Sequence, residues 1–171
     1  MLKFNDCLRV SIADYKVSKS PSGMTTLGLG SCVGICLYDI NTKVGGLAHI
    51  MLPNSKDYNI PVRNDLKYAD ITIPKMIDDM ISIGANIKNI RAVVVGGGNM
   101  FINSSISLES SIGYKNQVAV KSILKDLGIP IVCSDLGGNT GKTVYFCLKE
   151  GDVFVKKGLE VNLLYSGKKG G

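Results

Sequence analysis

Apolar positions along this chain fall into short continuous runs broken by polar, glycine-rich segments, with two longer stretches at helical spacing. Residues 8–17 mix apolar and polar positions and read as an early strand, and "SKSPSG", 18–23, reads as a turn. The runs "VGICLYD", 33–39, and "VGGLAHIML", 44–52, lie around "DINT" and predict a β-hairpin. "PNSKDYNIPVRND", 53–65, is polar, carries two prolines and is expected to be a loop. Beyond it Leu66, Ala69, Ile73, Met76, Ile77, Met80 and Ile81 recur at helical spacing. Asn64 or Asp65 is the expected cap and Gly84 the stop, with a kink or split at Pro74.

"IRAVVV", 90–95, is a buried-strand pattern running into "GGGNM", 96–100, and residues 101–113 are serine-rich and irregular. "NQVAVKSILKDLG", 116–128, predicts an amphipathic helix ended by Gly128. "IPIVCSD", 129–135, is a further strand, and "LGGNTGK", 136–142, a turn cluster. "TVYFCL" and "DVFVKK" form a second hairpin about "KEG". Strands dominate and two helices are interspersed, so the class is α/β or α+β. A length of 171 residues fits one domain, over 1–165, with "SGKKGG", 166–171, expected to be a disordered tail.

Pairing rules then bring two side chains together. His49 is the only histidine, 17 residues after Cys32. Whether "DINT" forms a four-residue loop closed by Tyr38 and Lys43 or a two-residue turn closed by Asp39 and Thr42, paired numbers sum to 81. Cys32 then lies opposite His49, with Cβ atoms roughly 4.5–5.5 Å apart. An odd-length loop would put them on opposite faces. The even register places Val33, Ile35, Leu37, Val44, Ala48 and Ile50 on one face. The other face carries Cys32, Gly34, Cys36, Gly45, Leu47, His49 and Met51, with glycines leaving room near the pair.

That pair has a chemistry. A free thiol has a pKa of about 8.5, so it needs a base to become a nucleophile. An imidazole can take the proton and later give it to a leaving amine. "GLGS", 28–31, suits an oxyanion hole, with the Cys32 N–H as a natural donor. A third group normally orients the imidazole; no carboxylate is near in sequence, but Thr25 and Thr26 are. A metal site is not expected, because Cys32 and Cys36 lack a second ligand pair. "GGGNM" lacks the lysine and spacing of a nucleotide loop, and reads as a glycine turn near the site mouth, with Asn99 facing substrate. Asn139 and Lys142 could face a binding surface, or simply belong to a tight glycine turn.

Composition narrows the partners. The net charge is +6, from 20 Lys+Arg against 14 Asp+Glu. No basic run is interleaved with aromatics, so no nucleic-acid partner is expected; an acidic protein partner, or simple solubility, accounts for the charge. No run of 18 or more apolar residues occurs, so no membrane insertion is expected. The start "MLKFNDCLRV" lacks the apolar core of a signal peptide, and five irregularly spaced cysteines suit reduced thiols, so the expected location is cytoplasmic.

The stretch "TLGLGSCVGICLYD…GGLAHIMLP" resembles the CheD chemoreceptor glutamine deamidases. The similarity continues through "YADITIPKMIDDMISIGA", "VVVGGGNMF" and "IGYKNQVAVKSILKDLGIPIVCSDLGGNTGKTVYF", covering roughly residues 10 to 155. The one departure is the third glycine of "GGGNM", where alanine is common. The resemblance implies an α/β sandwich of central sheets flanked by helices, related to toxin-type cysteine deamidases. It implies Cys32 as the catalytic cysteine, with His49 and Thr26 as its catalytic partners; beside them the residue reading places Gly30, Ser31 and Asn99 around the substrate. It implies hydrolysis of receptor glutamine side chains without a cofactor, on chemotaxis receptors, and with a CheC-type phosphatase as a modulating partner. The other functions weighed are a signalling adaptor that works by binding such a phosphatase or the receptor, and a cysteine hydrolase or transglutaminase acting on another amide.

Overall fold

The computed structural model describes residues 6–58, 64–101, 105 and 107–169. In chain order its strands and α-helices are β1 (Leu8–Arg9), β2 (Asp14–Lys19), β3 (Gly23–Leu29), β4 (Val33–Asp39), β5 (Val44–Ile50), α1 (Ala69–Ser82), β6 (Ile90–Gly96), α2 (Ile112–Asp126), β7 (Ile131–Leu136), β8 (Lys142–Cys147), β9 (Asp152–Lys157) and β10 (Glu160–Tyr165). The strands form two five-stranded sheets, ordered β2-β5-β4-β6-β7 and β1-β3-β8-β9-β10. Each is mixed: β6 with β7 and β1 with β3 run parallel, and the other neighbours antiparallel.

Two apolar layers explain the arrangement. Val33, Ile35, Leu37, Val44, Ala48 and Ile50 pack under Ile73, Met76 and Met80 of α1 and Val120 and Leu124 of α2. On the reverse side, Cys36, Leu47, Val93 and Val95 meet Met24, Leu29, Val144, Phe146 and Val153 of the second sheet. The first sheet is therefore covered on both faces, which is why every residue of β4 and β5 is buried and why their sequences read as unbroken apolar runs. Each fully buried Leu, Ile or Val contributes roughly 1.5–3 kcal/mol. The expected sandwich of mixed sheets with helices is present, with both helices on the same side.

Several local expectations change. Residues 8–17 are not one strand: β1 belongs to the second sheet and β2 to the first, and Ala13, at φ 56°, turns the chain between them. The first helix is not split at Pro74; α1 runs continuously through it. A proline there removes one hydrogen bond, to the Asp70 carbonyl, while buried Ile73, Met76, Ile77 and Met80 hold the helix to the sheet. Asn64 caps a separate 3-10 turn, Asp65–Lys67, which contains Leu66; α1 itself begins after Tyr68 without a side-chain cap. Gly84, at φ 113°, ends the helix as expected.

The second helix starts four residues before the expected position. Ser111 accepts a hydrogen bond from the Tyr114 N–H and opens α2 at Ile112. Gly113 is the reason the sequence hides this turn. A Cβ there would lie 2.1 Å from the Gly98 carbonyl oxygen, so the site demands the residue that most weakens a helical pattern. In the serine-rich segment, 102–104 and 106 lie outside the described residues, as do 1–5 and 59–63. At the tail, Gly167–Lys169 form a 3-10 turn, and residues 170–171 lie outside the described set.

Candidate active site

The link Gly30-Ser31-Cys32 carries the chain from the end of β3 in one sheet to the start of β4 in the other. Each of its three carbonyls is held. Gly30 O accepts from Gly98 N (2.8 Å), Ser31 O from Asn116 Nδ2 (2.9 Å) and Cys32 O from Gly97 N (2.8 Å). The Gly30 N–H closes a tight turn onto Gly28 O at 3.1 Å. Among the described residues, no backbone carbonyl accepts from the Ser31 or the Cys32 N–H, and the Cys32 N–H lies beside its own sulfur. Cys32 itself is half-buried.

The hairpin register differs from the expected one. Gly34 pairs with His49 and Asp39 with Val44, so paired numbers sum to 83 rather than 81. The loop is Ile40–Lys43 and is closed one pair later. Lys43, at φ 56°, donates its N–H to Asp39 O at 2.8 Å, and Asp39 Oδ1 accepts from the N–H groups of Asn41 and Thr42. The shift is even, so the predicted faces survive. Cys32 becomes the diagonal neighbour of His49 rather than its direct partner, at a backbone separation of roughly 7–8 Å that side chains span. Gly34, directly opposite the imidazole, adds no side chain of its own.

Thr26, fully buried on β3, connects the second sheet to His49. Its hydroxyl lies 2.8 Å from Val10 O and 2.7 Å from His49 Nδ1. A hydroxyl has one hydrogen, and the Val10 carbonyl can only accept, so that hydrogen points at Val10. Thr26 Oγ1 must therefore accept from His49, which fixes the proton on Nδ1 and leaves a lone pair on Nε2. Nε2 is buried and, among the described residues, has no hydrogen-bond partner. Burial holds the imidazole neutral, its pKa pushed down to about 4. Burial also raises the Cys32 pKa, partly offset by its own backbone N–H. The resting pair is thus thiol and neutral imidazole, not an ion pair. No hydrogen bond joins Cys32 Sγ to His49 Nε2.

Asn99 lies on the adjacent 96–100 turn. Its N–H donates to Gly138 O (2.8 Å) and its Oδ1 accepts from the Phe101 N–H (3.2 Å). The N–H groups of Gly97, Gly98 and Asn99 all reach protein carbonyls, so this glycine turn is no phosphate cradle. Lys142 is buried, and its ammonium bonds the Asp135 carboxylate and the carbonyls of Asp135 and Gly137; it staples the 135–138 turn rather than facing a ligand. Cys36 is fully enclosed between the sheets, which raises its pKa strongly. Among the described residues no group of three or more His, Cys, Asp or Glu comes together as a metal-binding cluster, and no helix is long and apolar enough to cross a membrane.

Sequence reasoning missed Asn116. It is fully buried on α2, and its Nδ2 donates to Ser31 O and Met51 O, both at 2.9 Å. The available signal was a polar side chain on the apolar stripe that continues through Val120 and Leu124. The apolar spacing hides it by putting the helix start at Asn116, where an amide is unremarkable.

Residues 51–157 match the family described as CheD chemotactic sensory transduction. That span begins after Thr26, Cys32 and His49, so it does not itself speak to those residues. A protein of Clostridium acetobutylicum named "Probable chemoreceptor glutamine deamidase CheD" is 44% identical over 149 residues, 87% of this chain and 89% of that protein. One of the same name from Caldanaerobacter subterraneus subsp. tengcongensis is 49% identical over 149 residues, 87% of this chain and 91% of that protein. With matches of this breadth along both chains, the protein belongs to the CheD family.

Proposed function

We propose that this chain is a chemoreceptor glutamine deamidase, which converts glutamine side chains in the cytoplasmic region of receptors to glutamate and ammonia. The relatives' names support the reaction class. The observation that carries the mechanism is the Thr26–His49 hydrogen bond, which leaves a buried Nε2 lone pair on the face of the hairpin that also carries Cys32.

The Cys32 sulfur attacks the carboxamide carbon as its proton passes to His49 Nε2. Because both groups rest neutral, transfer accompanies attack instead of preceding it. The tetrahedral oxyanion sits against the Ser31 and Cys32 N–H groups, the link's donors not taken by other residues. The imidazolium returns the proton to the nitrogen, the C–N bond breaks, and ammonia leaves a thioester on Cys32. Water then attacks the thioester, His49 takes its proton, and the carbon–sulfur bond breaks to give glutamate and the thiol. Thr26 holds the ring through both halves, accepting from Nδ1–H. No step needs a cofactor. Asn99, beside the link, lines the substrate's approach.

A CheC-type phosphatase is the regulatory partner under the same reading, and the protein works in the cytoplasm, where the receptor region lies. Mass spectrometry of a cognate receptor's cytoplasmic region, incubated with wild-type or Cys32→Ala protein, separates the enzyme from a pure adaptor. Loss of glutamine conversion with receptor binding intact is the expected result. Conversion unchanged in Cys32→Ala would remove Cys32 from the mechanism.

A further inference from the structure

The ladder between β4 and β5 ends at the pair Val33–Ile50. Continuing its register, the next pair would be Cys32 with Met51. No strand pairing holds the two chains at that point. Instead the Asn116 side chain, rising from α2, donates one N–H to Ser31 O and the other to Met51 O, each at 2.9 Å. One amide thus ties the residue before Cys32 to the strand end that follows His49.

Two features mark this as more than helix packing. The orientation of the amide is forced, since only its nitrogen can face two carbonyls. Its oxygen is then left buried without a partner among the described residues. An unpaired buried carbonyl is destabilising, and an apolar residue of similar size would avoid it. Asn116 also sits one helical turn from Gly113, which closes on the carbonyls of Gly97 and Gly98, the residues whose N–H groups hold Cys32 O and Gly30 O. Helix α2 therefore meets the Cys32 link directly through Asn116 and, at Gly113, packs against the glycine turn that holds it.

We propose that Asn116 is a positioning residue for catalysis: its bridge between the Ser31 and Met51 carbonyls sets the distance between the Cys32 thiol and His49 Nε2. The inference rests on the cysteine–histidine mechanism proposed above. Asn116 does not touch substrate; it acts through the two backbones it joins.

Kinetics of ammonia release from a receptor cytoplasmic fragment test it, with melting temperature recorded for each variant. Asn116→Ala lowers kcat at least about tenfold with little change in KM, because small misplacements of reacting groups are expensive in rate. Asn116→Asp, protonated, keeps one of the two donors and falls between; when it ionises, a carboxylate faces two carbonyls, so this variant gains an alkaline loss of kcat that the wild type lacks. Leu124→Ala, on the same helix within the helix–sheet core, lowers the melting temperature yet leaves kcat unchanged below it. A kcat for Asn116→Ala within about twofold of wild type, or a loss in Leu124→Ala that tracks melting temperature equally, overturns the proposal. If Asn116→Ala does not fold, the alkaline limb of Asn116→Asp decides alone. Wild-type turnover that survives Cys32→Ala marks a failure of the mechanism rather than of the Asn116 assignment.

Discussion

The Thr26 hydroxyl has one hydrogen, and its destination decides what His49 can do. Because Val10 O takes it, the imidazole donates through Nδ1 and offers Nε2. Replacing Thr26 by valine keeps the shape and removes that acceptor, so kcat/KM should fall on the order of a hundredfold, as expected when a catalytic imidazole loses its orienting partner. Thr26→Ser keeps the oxygen and should retain most activity; equal losses in both variants would contradict the role. At this scale much was legible. Parity and chemistry put Cys32 and His49 forward as candidates on one face, because β-strand alternation preserves faces under any even shift of register; they left Thr25 and Thr26 open, and only the family resemblance singled out Thr26. The expected direct pairing of Cys32 with His49 did not hold, because it depended on where "DINT" closes. That was set by Asp39 capping the loop and Lys43 accepting a left-handed backbone, neither of which the residue types announce.

Among the elements, the turn after β6 is the one most tightly bound to the site. Gly96 and Gly84 share φ 113°, so alanine strains the backbone equally at both, by about 1–3 kcal/mol. They differ in surroundings: a Cβ on Gly84 meets open space, whereas on Gly96 it would lie 2.3 Å from the Cys32 carbonyl oxygen. Gly84→Ala should lower the melting temperature and spare activity. Gly96→Ala should destabilise further and lower kcat, since Cys32 must move. Equal activity in the two, measured well below their melting points, would show that the turn does not set the cysteine. Most elements were readable from apolar runs between turns. Those that were not failed for local reasons: β1 and β2 are edge strands without a clear apolar alternation, Pro74 is overridden by the buried face of α1, and Gly113 looks like a helix breaker because it must admit a backbone.

For the whole molecule, the buried histidine makes stability depend on pH. Its folded pKa of about 4 lies below the ordinary 6.5, so between these values the unfolded chain binds more protons. Stability therefore rises with pH across that window, and is lost as pH falls from 6.5 towards 4, by about 3 kcal/mol in all. Asp39 and Asp135, whose pKa values are depressed, add losses in more acid solution. Subtracting the profile of His49→Gln isolates the histidine: the difference should flatten above pH 6.5, and a parallel profile would mean that His49 is not buried neutral.

The account turns on the acyl group passing through Cys32. Hydroxylamine, added to the receptor fragment with wild-type protein, competes with water for a thioester and converts part of the target glutamine to its side-chain hydroxamate, which mass spectrometry distinguishes from glutamate. The account predicts hydroxamate rising with hydroxylamine concentration in the wild type and none with Cys32→Ala. Glutamate formed steadily with no hydroxamate at any hydroxylamine concentration, or hydroxamate made equally by Cys32→Ala, would contradict it.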